Sequence, residues 1–229
     1  MLNGLVEQAL RGHRANVDLP QEGRIGGARE FAPTIDVVLV RFALPLSQLV
    51  APARGHWTLA ERKLSVAHLQ FRSGGSGFVC TGTLINDTNF ATQVPYVLTA
   101  AHCVDSAATA ATVNAFFFYQ AATCGGSALT NAVQIGSGAH LMYVNTTTDV
   151  ALLRLNEPAP AGAFFSGWDP TPLAEGNCMV MIHHPDGGPK AYSVGTVVPT
   201  SLENDFTGDH QLVTWRTGSS VPWPELRLR

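Results

Sequence analysis

From Ser65 onward the chain is a run of short apolar segments separated by turn residues, and this rhythm limits the fold more than any other feature. Strands are expected from Val66 to Phe71, Phe78 to Ile85, Tyr96 to Thr99, Thr112 to Tyr119, Val133 to Ile135 and Leu141 to Val144. They continue at Val150 to Leu155, Met179 to His183, Ala191 to Val198 and Gln211 to Trp215. Gly74-Gly75-Ser76-Gly77 and Asn86-Asp87-Thr88-Asn89 supply turn chemistry between them. Strands and turns recurring every eight to twelve residues or so predict an all-β sandwich or barrel. Upstream, Ile35 to Val40 reads as a strand and Gly4 to Arg11 as a short helix. Residues 42–63 mix Pro45, Pro52 and Gly55 without a clear period and carry no assignment.

Composition narrows the function classes. The 229 residues suit one large domain or two small ones, and 45% hydrophobic content is enough for a sizeable core. Charged residues are only 14%, the net charge is -3, and no basic run occurs, so a nucleic-acid partner is not expected. No apolar stretch approaches the ~18 residues of a membrane-spanning helix. The four cysteines, Cys80, Cys103, Cys124 and Cys178, allow three pairings. The absence of a CxxC argues against a zinc ribbon or a thioredoxin-type site. Met1 to Gln8 lacks the basic start and unbroken apolar core of a secretory signal, which implies a cytoplasmic chain or one whose start lies upstream.

Two segments carry chemistry. In Leu98-Thr99-Ala100-Ala101-His102-Cys103 a strand ends in small residues, a histidine and a cysteine. Small residues let the backbone pack closely beneath an imidazole that must reach a cleft. A half-exposed loop histidine beside a buried cysteine is the plainer reading. In Thr148-Asp149-Val150-Ala151-Leu152-Leu153 an aspartate stands at the mouth of an apolar strand. Such a carboxylate either closes a turn or accepts a hydrogen bond from an imidazole Nδ1.

Together with Cys80-Thr81-Gly82-Thr83-Leu84-Ile85, these segments resemble the chymotrypsin-like serine protease family, in its order histidine, aspartate, serine. The similarity points to the bacterial lysyl endopeptidase branch through Ile35-Asp36-Val37-Val38, Gly167-Trp168-Asp169 and Ile182-His183-His184-Pro185-Asp186. The resemblance implies a chymotrypsin-like double β-barrel over residues 34–229, preceded by an N-terminal segment 1–33. It implies a serine-type endopeptidase acting on polypeptides without a cofactor, as a secreted or periplasmic monomer. By the same resemblance His102 is the general base, Asp149 its orienting partner, and Cys80 and Cys103 form a disulfide. Trp168 packs either in the core or beside the catalytic imidazole.

The departures are specific. The family sets its nucleophile in a Gly-Asp-Ser-Gly or Gly-Ser-Ser-Gly-Ser loop, whereas this chain reads Thr217-Gly218-Ser219-Ser220-Val221-Pro222. Ser220 is the only candidate nucleophile, with Val221 in the place of the glycine. The second barrel is therefore expected to be incomplete, the chain truncated at the serine loop, and the protein inactive. The alternative is a pseudo-protease that binds peptides or proteins without cleaving them. Leu39 replaces an expected cysteine, so Cys124 loses its partner, and Cys124 and Cys178 are expected to be free. His183, His184 and Asp186 admit a metal-hydrolase reading, but neighbouring residues on a strand point to opposite faces. A strand end before Gly187-Gly188 is the simpler account.

Overall fold

A computed structural model describes residues 59–87, 89, 92–122, 129–169, 173–198, 212–215 and 221–222. The helix at Gly4 to Arg11, the strand at Ile35 to Val40, the segment 1–33, Cys124 and Ser220 lie outside the described residues.

The chain forms antiparallel sheets with little helix, as the strand rhythm predicts. The larger sheet contains β1 (Val66–Ser73), β2 (Ser76–Ile85), β3 (Tyr96–Thr99), β4 (Asn114–Phe117), β7 (Val133–Ile135), β8 (Ala139–Asn145) and β9 (Val150–Leu155). Its order is β7-β4-β1-β2-β3-β9-β8. A small pair, β5 (Gln120–Ala121) with β6 (Leu129–Thr130), stands beside it. The second sheet joins β10 (Cys178–His183), β11 (Ala191–Val198) and β12 (Leu212–Trp215), and β13 (Val221–Pro222) also pairs with β11.

Local sequence explains the main elements. The β1–β2 hairpin closes on Gly74 and Gly75 at φ 56° and 85°, with Ser73 opposite Ser76. Two positive φ values in a two-residue loop match the right-handed twist of the flanking strands. Strand β9, Val-Ala-Leu-Leu-Arg-Leu, is buried at every position but Arg154. It lies inside the sheet between β3 and β8 and packs both faces, which is why it reads as a continuous apolar run rather than an alternation. Gly82 is needed by packing, since a Cβ there would stand 2.6 Å from Val97 Cγ1 and 2.8 Å from Leu69 Cδ1.

Three expectations change at the edges. The strand expected from Thr112 to Tyr119 runs only from Asn114 to Phe117, because Phe118 turns the chain at φ 58°. Part of the unassigned stretch is ordered as a short helix α1 (Leu59–Arg62) and a 3-10 turn (Lys63–Ser65). A second short helix, α2 (Ala107–Ala110), starts where Ser106 Oγ accepts a hydrogen bond from Thr109 N–H.

The larger sheet has a main core around Leu69, Leu84, Val97, Val113, Phe117 and Leu153 and a smaller cluster of Ile85, Leu98, Val150 and Leu152. The second sheet has smaller clusters at Met179, Val197 and Val213 and at Leu59, Val180 and Tyr192. Contacts join the second sheet to β2 and to the chain that follows β4. His184 N–H donates to Thr81 Oγ1 at 3.0 Å, and Lys190 N–H donates to the Tyr119 carbonyl at 3.0 Å.

Candidate active site

The site begins with register. Thr99, the last residue of β3, pairs with Ala151 in β9. The turn leaving β3 therefore meets the turn entering β9, although His102 and Asp149 lie 47 positions apart. From Val97 to Val104 every residue is buried except His102. Ala100, Cys103 and Val104 sink into the main core, and Ala101 is fully buried. The small residues before the histidine thus let the chain turn within packed surroundings, while the imidazole is left outside with 41% of its side chain exposed.

Asp149 is set by its own turn. Asn145 Oδ1 accepts hydrogen bonds from Thr147 N–H and Thr148 N–H at 2.9 and 3.1 Å. The chain then passes through Asp149 at φ 51°, a left-handed conformation that Asp tolerates better than most residues. Its carboxylate is buried and takes two hydrogen bonds from one residue. His102 N–H donates to Oδ1 at 2.8 Å, and His102 Nδ1 donates to Oδ2 at 2.6 Å. The Asp149 carbonyl also accepts from Ala101 N–H at 3.2 Å. Backbone and side chain together hold the ring in one tautomer, with the proton on Nδ1 and the lone pair on Nε2.

Cys80 and Cys103 form a disulfide with Cα atoms 6.4 Å apart, the pairing that the resemblance implies. Cys103 Sγ lies 3.4 Å from His102 Nε2. Cys178 is free, as expected. Trp168 is partly buried against the cluster of Ile85, Leu98, Val150 and Leu152, and its Nε1–H donates to the Asn86 carbonyl at 3.2 Å.

The neighbouring histidines turn to different partners. His183 Nε2 meets Ser193 Oγ at 3.3 Å, while His184 Nδ1–H donates to the Gly188 carbonyl at 3.0 Å. This separation is what opposite strand faces require, and it gives no common point for an ion.

A second cluster joins His184 to residues that the sequence reading did not single out. His68 on β1 is buried and stacks on Tyr119 at 4.8 Å between ring centroids, with His184 edge-on at 5.4 Å. Lys190 is 1% exposed, and its Nζ donates to the Lys63 carbonyl at 2.5 Å. The only two lysines of the chain therefore meet between the sheets. Burial, reinforced by Lys63, pushes the Lys190 pKa down to about 7, and burial pushes His183 down to about 4. His184 is held well below its usual value, mainly by burial and secondarily by the nearby Lys190. The scarcity of lysine was visible in the sequence, but nothing local to Lys190 marks it as buried.

With this geometry in place, comparison with known proteins identifies the family. Residues 51–221 match the family described as "Lysyl endopeptidase, C-terminal domain", and the chain belongs to that family of serine proteases. It is 36% identical over 165 residues to the lysyl endopeptidase of Pseudomonas aeruginosa, covering 70% of this chain and 34% of that protein. The chain thus spans about a third of that relative's length. Among solved structures, the scabies mite inactivated protease paralogue S-I1 aligns with a TM-score of 0.49 at 18% identity, over 71% of this chain and 75% of that chain. A thermostable serine protease from an extremophilic microorganism aligns with a TM-score of 0.43 at 15% identity, over 67% and 78%.

Proposed function

We propose that the chain carries the general-base half of a serine-endopeptidase site, with His102 as the base and Asp149 as its orienting partner, and that it lacks a productive nucleophile. The observation that carries this reading is the 2.6 Å hydrogen bond from His102 Nδ1 to the buried Asp149 carboxylate. In the complete chemistry a serine Oγ attacks the peptide carbonyl and passes its proton to His102 Nε2. The imidazolium then returns that proton to the leaving amine, while Asp149 stabilises the charge. Polypeptides are the substrate class, and no cofactor takes part in these steps.

The case for inactivity rests on the residues around Ser220. A nucleophile loop must turn sharply so that its own backbone N–H groups face the oxyanion, a contribution of about 2.7–4 kcal/mol per donor. Here Val221 follows Ser220 directly and is drawn into a ladder opposite Tyr192. A β-branched residue in extended pairing is a poor substitute for the glycine of a tight turn. Losing the nucleophile of such a triad costs on the order of a millionfold in rate. The disulfide fits folding in an oxidising compartment, so we place the protein outside the cytosol.

The test is labelling of the purified, oxidised chain with a fluorophosphonate, read by mass spectrometry, beside a peptide-cleavage assay. No adduct and no cleavage are expected. Stoichiometric labelling at Ser220 that His102→Ala abolishes would make this a working protease. The dyad has its own readout: a downfield Nδ1 proton resonance that disappears in Asp149→Asn. If no such resonance exists in the parent chain, the general-base assignment fails.

A further inference from the structure

The corner that presents His102 also brings together a ligand set of another kind. Cys80 Sγ, Cys103 Sγ and a ring nitrogen of His102 all lie within 4.8 Å of one another. His102 Nε2 faces Cys103 Sγ at 3.4 Å, and its Nδ1 is committed to Asp149 at 2.6 Å. A carboxylate on the far nitrogen of a histidine fixes the tautomer and orients the ring, and this is how metal-binding histidines are usually supported. Cysteine thiolates and imidazole are the ligands of a tetrahedral zinc site. Two sulfurs each ~2.3 Å from one ion stand roughly 3.8 Å apart. The Cα separation of 6.4 Å leaves room for the sulfurs to spread to that distance. Cys80 is half-buried and His102 is exposed, so reductant and ion can both reach the corner, and a water can fill the fourth position.

We propose that reduction of the Cys80–Cys103 disulfide converts this corner into a site for zinc or another borderline-soft divalent ion, with Cys80 Sγ, Cys103 Sγ and His102 Nε2 as the protein ligands. An external dithiol supplies two electrons and two protons. The disulfide becomes two thiols while the dithiol closes to its own disulfide. Ion binding then releases the two thiol protons to solvent. The ion occupies the Nε2 lone pair, the same one that would accept a serine proton. An ion on Nε2 would block the general-base role proposed for His102 above, and the site itself does not rest on that role.

The experiment uses the full chain carrying Cys124→Ser and Cys178→Ser, so that other thiols cannot bind the ion. The reduced protein, freed of excess reductant under anaerobic conditions, is titrated with cobalt(II) and then zinc(II), and bound metal is counted by elemental analysis. One equivalent per chain is expected, with thiolate-to-cobalt charge-transfer bands that zinc removes. The oxidised protein should bind none. His102→Ala should weaken the reduced site at least tenfold, and Asp149→Asn should weaken it 10–100-fold through the lost support of the imidazole. Zinc should also raise the melting temperature of the reduced chain. The proposal is overturned if the reduced chain binds no ion, if His102→Ala binds equally well, or if the reduced chain unfolds and zinc does not restore it. None of these readouts depends on proteolysis, so failure here leaves the labelling result untouched, and the converse holds.

Discussion

His102 and His184 sit at opposite ends of the same problem. Each belongs to a short loop at a strand end and each uses its Nδ1 as a hydrogen-bond donor. His102 gives that proton to a carboxylate and keeps much of its ring in solvent. His184 gives it to the Gly188 carbonyl and is 4% exposed, with Lys190, His68 and His183 around it. A histidine facing a carboxylate has an opposite charge beside it. A histidine packed among other bases has to remain neutral, because desolvation and like charge both oppose the proton. The first environment suits chemistry. The second is structural, and it makes the seam between the sheets sensitive to acid.

The largest effect expected from this contrast comes from Lys190. Its folded pKa of about 7 lies below the usual 10.5, so the unfolded chain binds more protons between those values. Stability therefore falls as pH drops from 10.5 towards 7, by on the order of 5 kcal/mol, and levels off below 7. Lys190→Met should flatten that limb in urea melts run across the alkaline range. A parent profile that is already flat there would mean that the seam tolerates a charged lysine.

Reducing the Cys80–Cys103 bond in metal-free buffer should cost about 3 kcal/mol, the loop-closure value for a separation of 23 residues. Chemical denaturation with and without reductant measures it. An unchanged midpoint would show that the corner beneath His102 is held by packing alone.

Acid should weaken the seam next. His183 titrates at about 4 in the fold against 6.5 when unfolded, so stability is lost as pH falls through that window, by about 3 kcal/mol. His68 and His184, also depressed, add to the loss in the same direction. His183→Gln should recover part of it at pH 4–5 in thermal melts. No recovery would move the acid sensitivity to the other two rings.

Asp149→Asn is the smallest change. Asn also tolerates the left-handed backbone at this position, and it keeps one acceptor for His102. The expected loss is about 1–2 kcal/mol, the difference between charged and neutral acceptors. A loss as large as that of Asp149→Ala would show that both carboxylate oxygens are indispensable to the turn.

Much of this molecule is legible along the chain. The short apolar segments and the turn residues between them place β2, β3, β7, β9, β10 and β11 to within a residue or two. The His102 and Asp149 segments also stand out, because small residues before a histidine and an acid before an apolar strand are local patterns. Phe118 does not stand out: nothing nearby in the sequence announces a positive φ at an aromatic residue. The helix at Leu59–Arg62 is hidden too, because only Leu59 is buried and four residues show no period.

Patterns along the chain are enough to give short strands joined by tight turns, with a histidine and an aspartate at the ends of two of them. Those properties depend on neighbours along the chain. The register of β3 on β9 that brings His102 to Asp149, and the reach of Lys190 across the seam to the Lys63 carbonyl 127 residues away, belong to the three-dimensional fold. Contacts of that range are fixed by how whole sheets pack, and no local pattern encodes which buried base will find a carboxylate and which will not.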